Sequence, residues 1–357
     1  MNRRTAVLMG ACAVLPGFAK GQDAASAVPA HPLTPSWEAW KAAFLEADGR
    51  VVDSLQMGAS HSESQGYGLL LAASVGDGVA FDLIDRWTMA NLAVRRDSLF
   101  AWRWLPSDPA GVPDRNNASD GDLFYAWALI RAAGTLDRPD LIARASSIAR
   151  DLAAACIRPH PDGSGRLLFA PAAAGFQRDD GLIVNPSYYM PLAMRDISRV
   201  TGVTEFAACA ADGVALLEAL TLRGLIPDWI EVRADGLVPV EGMSDNSGYE
   251  ALRAPLFAIW SGQRDSPTVR TAAAALAAGL TDGGETPTVM DRLTGVVLES
   301  SPDDGYAAIA ALAICAGSDR IGAAIPRFSV RQPYYPATLH LMTLLAQLET
   351  SADCVPI

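Results

Sequence analysis

Apolar residues recur at helical spacing along almost the whole chain, in about eleven segments between Trp37 and Leu348. They are Trp37 to Leu45, Leu69 to Val75, Phe81 to Leu92, Leu123 to Ala133, Leu141 to Cys156, Tyr188 to Val200, Phe206 to Leu220, Tyr249 to Trp260, Val269 to Leu280, Tyr306 to Ala316 and Ala337 to Leu348. So many helices joined by short to moderate connections predict stacked helical hairpins, either a closed α/α toroid or an open solenoid. No sequence repeat accompanies them.

Strand signals are few and short. Arg166 to Ala170 is expected to pair with Leu182 to Val184. Trp229 to Val232 and Leu237 to Val240 flank Ala234-Asp235-Gly236, which reads as a hairpin turn, and Val296-Val297 marks another short strand. Helix starts carry cap signals. Ser62 with Gln65 reads as a capping box, Ser119 with Asp122 as a looser one, and Asn185-Pro186 as an N-cap followed by proline at the first helical position.

Half of the 357 residues are hydrophobic, enough for a sizeable core. No Ser/Gly-rich or Pro-rich linker interrupts the middle, so residues 28–357 read as one domain. Against 28 basic residues stand 40 acidic ones, net −12, with no basic stripe, which argues against nucleic acid as a partner. Arg3-Arg4 followed by a weakly apolar stretch from Thr5 to Ala19 reads as an export signal. Asn2-Arg3-Arg4-Thr5-Ala6-Val7-Leu8 resembles a twin-arginine motif, and Ala25 and Ala27 suit cleavage after Ala27. A lipid anchor on Cys12 is the alternative. The stretch is too short to span a bilayer, and no later run suits stable membrane insertion. The expected location is therefore periplasmic or secreted. Export permits disulfides among Cys156, Cys209, Cys315 and Cys354, in any of three pairings, and buried free thiols are an equal reading. Their wide spacing excludes a zinc motif.

The chemistry has few candidates. No G-x-S-x-G, H-E-x-x-H, Walker loop or strand-linked G-x-G-x-x-G occurs, and only His31, His61, His160 and His340 are available. Carboxylates remain. Glu63 lies at a helix start beside Gln65 and Tyr67, and Asp120 and Asp122 lie at another. Asp122, at the capping-box position, reads as structural, and Asp120 as pointing into a cleft. Helix starts favour the charged form of an acid, whereas a general acid needs a raised pKa, from burial or from a neighbouring carboxylate, which Asp120 would supply if the two helix starts converge. Glu250 and Arg253 are spaced i, i+3, which alone predicts a surface ion pair. Ala101-Trp102-Arg103-Trp104, if extended, puts two tryptophans on one face, and Tyr188-Tyr189, Trp229 and Tyr334-Tyr335 add aromatic surface. Acids set among Gly, Tyr, Asn and Gln suit a polar, uncharged ligand such as a sugar.

Together these segments resemble glycoside hydrolase family 8, and within it the endo-β-1,4-glucanases that accompany bacterial cellulose synthase. Ser62-Glu63-Ser64-Gln65-Gly66-Tyr67-Gly68 resembles S-E-G-Q-G/S-Y-G, and Asn116-Asn117-Ala118-Ser119-Asp120-Gly121-Asp122 resembles N-x-A-[ST]-D-[AG]-D. Asn185-Pro186-Ser187-Tyr188 resembles N-P-S-Y, Pro227-Asp228-Trp229 resembles P-D-W, and Tyr249-Glu250-Ala251-Leu252-Arg253 resembles Y-D-A-[IL]-R. The resemblance implies an all-α (α/α)6 toroid of six inner and six outer helices with short β-hairpin excursions, and an open cleft where the inner helices begin. It implies inversion at the anomeric carbon with no metal or cofactor. Glu63 would be the general acid, Glu250 the general base, and Asp120 would hold the distorted sugar. Tyr249 and Arg253 would orient water and base, while Gln65, Tyr67, Trp102, Tyr188 and Tyr335 would contact substrate. The implied partners are β-1,4-linked glucan chains and the cellulose synthase export machinery.

Two departures stand out: Ser64 replaces the family's glycine, and Glu250 replaces its aspartate. An extra methylene moves the base by more than an ångström, so a weakly active or inactive glucan-binding homologue is the alternative, with Asp245 as a substitute acid. Family members also act on xylan, chitosan or mixed-linkage glucan.

Overall fold

The helical periodicity becomes eleven α-helices among the residues that the computed structural model describes, 30–107, 109–281, 283–318 and 321–357. They are α1 (Thr34–Phe44), α2 (Ser62–Val75), α3 (Gly78–Asn91), α4 (Ser119–Thr135), α5 (Leu141–Cys156), α6 (Pro191–Thr201), α7 (Glu205–Thr221), α8 (Arg253–Trp260), α9 (Pro267–Gly279), α10 (Asp304–Ala316) and α11 (Tyr334–Thr350). The expected export signal at 1–27, with its Cys12 alternative, lies outside the described residues.

Composition decides which helices go inside. In α2, α8, α10 and α11 buried residues follow one another around nearly the whole helix, and such helices must be surrounded by protein. Helix α5 instead buries Leu141, Ala145, Ile148, Ala149, Leu152 and Cys156, one stripe at three-to-four-residue spacing, and turns its other face to water. Helices α2, α4, α6, α8, α10 and α11 pack in sequence as an inner ring, and α11 returns to α2 to close it. Helices α1, α3, α5, α7 and α9 pack outside. This is the (α/α)6 toroid. Its outer layer is thinner between α10 and α11, where the described residues carry no α-helix. There Gly322 and Ala323 hydrogen-bond to the C-terminal tail, and Cys315 on α10 is disulfide-bonded to Cys354. Cys156 and Cys209 are free and buried, which settles the pairing left open above. Aromatic rings fill the middle of the ring: Tyr67 against Phe124 (4.8 Å between centroids), Phe124 against Phe257 (5.3 Å) and Trp127 against Trp260 (5.3 Å).

The connections are unequal. Those running from an inner helix to an outer one are short, as in Gly76-Asp77 between α2 and α3. Those entering inner helices are long and hold all ten described strands: β1 (Ser60–His61), β2 (Arg103–Leu105), β3 (Gly111–Asp114), β4 (Ile157–Pro159), β5 (Leu167–Phe169), β6 (Gly181–Val184), β7 (Ile230–Arg233), β8 (Gly236–Val238), β9 (Thr286–Met290) and β10 (Val297–Ser301). Irregular chain therefore collects at the end where the inner helices start.

The expected β7–β8 hairpin and the strand at Val297 are present. The expected pairing of Arg166–Ala170 with Leu182–Val184 is not. Strand β5 pairs with β4, which continues straight out of α5, and β6 pairs with β7. The nearby hairpin partner won, and β4 was concealed because it reads as the end of a helix. Both expected capping boxes slip. Helix α2 is capped from His61, whose N–H donates to Ser64 Oγ (2.9 Å), and Ala118 is the N-cap of α4. Asn185 caps only a 3-10 turn, Pro186–Tyr188, by accepting from Ser187 N (3.0 Å), and α6 starts later at Pro191. Among the described residues no helix is long and apolar enough to cross a membrane.

Candidate active site

Three inner-helix starts build the site. Glu63 stands in the first turn of α2 and Asp120 in the first turn of α4. Gly121 brings these turns together: a Cβ there would lie 2.3 Å from Ser62 Oγ and 2.7 Å from Glu63 N, so only glycine allows the approach. The third start is Arg253, first residue of α8, preceded by the turn that carries Glu250.

Arg253 is the hub. Its Nη1 donates to Glu63 Oε2 (2.7 Å), to Tyr67 Oη (3.1 Å) and, at longer range, to Asp120 Oδ2 (3.5 Å). Its Nη2 donates to Ser187 Oγ (2.8 Å) and to Glu250 Oε2. Asn185 Nδ2 also donates to Glu250 Oε2 (2.9 Å). Arg253 is only 1% exposed, so the pair with Glu250 is buried machinery and not the surface ion pair that spacing alone predicts.

One guanidinium thus faces three carboxyls, and its single charge cannot neutralise them all if each is ionised. Burial, and next the charge of Glu63, push the Asp120 carboxyl well above its ordinary range. Glu250 is pushed up by burial, with Glu63 and Asp228 adding to the shift and Arg253 opposing it. The buried cluster therefore favours keeping a proton on Asp120.

Side-chain exposure sorts the roles. Glu63 (21%) and Glu250 (36%) face a cleft of about 390 Å³, whereas Asp120 (2%) stands behind them. Tyr249, Tyr306 and Tyr335 line the same cleft, with His61, Asp53 and Gln56. Tyr188 lies with its ring 5.5 Å from the Arg253 guanidinium and edge-on to Trp229, which stacks on Phe176. Trp102 stacks on His61 at 6.1 Å. Among the described residues no group of three His, Cys, Asp or Glu side chains is arranged to hold a metal.

Several expectations are corrected. Gln65 does not reach the cleft: it is fully buried, accepts from Val51 N (2.7 Å) and donates to Thr88 Oγ1 (2.8 Å), tying the chain before α2 to α3. Tyr67 is likewise buried behind the acids, where it accepts from Arg253 and does not line the cleft, while Arg253 holds the Glu250 carboxylate as expected. Asp120 touches Arg253 from behind Glu63 and does not line the cleft. The Tyr249 hydroxyl points to Glu299 (3.1 Å) and not to Glu250, leaving its ring as a wall. Asp245 neither joins the cluster nor lines the cleft. Trp104 packs against Trp87 and Arg50, away from Trp102, where the β2–β3 register is irregular. Asp122, expected as a cap, instead accepts from Phe100 N (2.9 Å) and Asn117 Nδ2 (2.9 Å). Sequence reasoning missed Asn185, Ser187 and Asp228 as supports of Glu250 and Arg253. The motifs N-P-S-Y and P-D-W held them, but pointed to caps and aromatic surface.

The pattern of Glycosyl hydrolases family 8 matches residues 8–349. The chain belongs to this family. Its family is one of glycosidases. The chain is 34% identical over 318 residues to a "Probable endoglucanase" of Novacetimonas hansenii, covering 88% of this chain and 90% of the relative. Among solved structures it resembles the endo-β-1,4-glucanase CMCax of Acetobacter xylinum, with TM-score 0.77, 32% identity and coverage of 88% and 97%. It also resembles a family 8 endoglucanase of Klebsiella pneumoniae, with TM-score 0.77, 30% identity and coverage of 88% and 99%.

Proposed function

We propose that the chain is an exported, inverting endo-β-1,4-glucanase that cleaves cellulose chains as an accessory to cellulose synthesis. The observation that carries this reading is that Glu63 and Glu250, far apart in sequence, face one cleft across a single guanidinium. Glu63 gives its proton to the leaving glycosidic oxygen as the C1–O bond breaks. Water attacks C1 from the opposite face and loses its proton to Glu250. Asp120, sharing the Arg253 fork, helps to keep a proton available beside Glu63. Inversion needs room for one water, about 6.5–9.5 Å between the two carboxyls, against about 5–5.5 Å in a retaining site. Tyr249, Tyr335, Tyr188 and Trp102 offer rings for the C–H faces of glucose units. The export reading draws support from the Cys315–Cys354 bond, which suits an oxidising compartment. The names of the relatives support the β-glucan substrate. The test is release of reducing ends from carboxymethylcellulose by wild type and Glu63→Gln. The variant is expected to lose turnover by at least about 100-fold, the usual scale for a general acid, and equal release by both would remove Glu63 from the mechanism.

A second reading, a glucan-binding protein with slow turnover, has one observation in its favour: Glu250 Oε2 is already held by both Arg253 and Asn185. Glu250→Asp separates the two. If the longer side chain is the fitted base, shortening it lowers kcat on cellohexaose by about 100-fold. If the longer side chain is locked away from water, shortening it raises kcat.

A further inference from the structure

We infer that Asp228 is a positioning residue for the base: it fixes the turn Gly248–Ala251 and so sets where the Glu250 carboxylate stands in the cleft. The inference rests on the reading of Glu250 as the base.

Asp228 is 7% exposed and lines no part of the cleft, so it cannot act on sugar directly. Its Oδ1 accepts three backbone hydrogen bonds, from Gly248 N (3.0 Å), Glu250 N (3.2 Å) and Ala251 N (3.0 Å). Its Oδ2 accepts from Ser244 Oγ (3.0 Å). The backbone repeats the tie, with Asp228 N donating to Asn246 O (2.8 Å) and Trp229 N to Ser244 O (3.1 Å). Every one of these contacts falls on the eight residues leading into Ala251, so the loop is latched to one side chain.

The chemistry of the latch calls for a carboxylate. Three N–H groups converging just ahead of a helix form a positive concavity that an anion fills best. An asparagine could keep an oxygen for these three N–H groups and turn its NH2 to the Ser244 hydroxyl, but it would lack the charge that fills the concavity. Burial raises the Asp228 carboxyl, while its hydrogen bonds, first that from Ala251, oppose the rise. Position 248 is cut to match: a Cβ on Gly248 would lie 2.4 Å from Asp228 Oδ2. Glu250 is therefore gripped twice, by Asn185 at its carboxylate and by Asp228 through its own N–H. Without the latch, the turn bearing the longer base is left with the Ser247–Met290 backbone bonds and the side-chain contacts of Asn185 and Arg253 to place it.

The experiment measures kcat and KM on cellohexaose, as functions of pH, for the full chain and for Asp228→Ala, Asp228→Asn, Gly248→Ala, Asp228→Ala/Gly248→Ala and Glu250→Gln. Asp228→Ala is expected to lower kcat by about 100-fold, the loss typical of ångström-scale misplacement, with KM little changed. Asp228→Asn keeps the shape and drops the charge. Since that charge favours a protonated Glu250, the acid limb of its kcat/KM profile moves to lower pH. A merely structural residue would lower the melting temperature and leave the limb in place. Gly248→Ala lowers kcat in the wild type but adds little to Asp228→Ala, because the oxygen it collides with has gone. If Asp228→Ala fails to fold, the limb of Asp228→Asn decides. Wild-type kcat and limb in the Asp228 variants, with Glu250→Gln inactive, would overturn the latch and leave the base standing. Wild-type turnover in Glu250→Gln would overturn the base itself, and the latch with it.

Discussion

Arg253 illustrates how far a residue's surroundings can depart from its sequence neighbourhood. The i, i+3 spacing to Glu250 is visible in the chain, but nothing local reveals that α2, α4 and the 185–187 turn close over the guanidinium. Gln65 errs in the other direction. Its place beside Glu63 suggested a ligand contact, yet in α2 successive side chains point about 100° apart, so Gln65 faces α3 while Glu63 faces the cleft. Asp122 yields a prediction at this scale. Burial lifts its carboxyl to about 7, against hydrogen bonds from Phe100 and Asn117 that favour the charge. A carboxyl raised on folding binds its proton more tightly in the native state, so its contribution is full below pH ~4 and is lost as pH rises toward ~7. Thermal unfolding across that window should show wild-type melting temperature falling with pH, and Asp122→Asn should flatten the fall. An unchanged slope in the variant would contradict the assignment.

At the scale of elements, the close approach of α2 and α4 decides whether two acids can share one arginine. Gly121 is the contact point, and Gly121→Ala would drive a methyl into Ser62 Oγ and the Glu63 backbone. Overpacking of this kind costs about 1–3 kcal/mol. The expected outcome is a lower melting temperature together with a loss of kcat, since Glu63 moves with its helix. A stable variant with wild-type kcat would show that the spacing of these helices does not set the site. Helix existence was legible because the 3.6-residue period survives in any context, and α5 starts at Leu141 as expected, whereas two helix starts at the site were not legible. The segment expected as helix from Tyr249 begins at Arg253, because Asp228 holds residues 248–251 as a turn. Likewise the helix expected from Tyr188 begins at Pro191, after the 3-10 turn capped by Asn185. Each shift follows from a side chain distant in sequence or a proline, and each falls at the site.

For the whole molecule, the alternation of short and long connections matters most. Long strand-bearing loops precede the inner helices, so the irregular end of the ring is also the end where helix N-termini and their acids gather. The ring itself was legible from the number of helices and the motif resemblance. The thinner layer between α10 and α11, and the Cys315–Cys354 bond there, were not, since cysteine spacing cannot choose a partner. The central claim is that two carboxyls act on one glucan linkage with a water between them. Proton NMR of the sugar freshly released from cellohexaose tests it most directly, before mutarotation erases the signal. The account predicts that the α-anomer appears first, and first appearance of the β-anomer would contradict it.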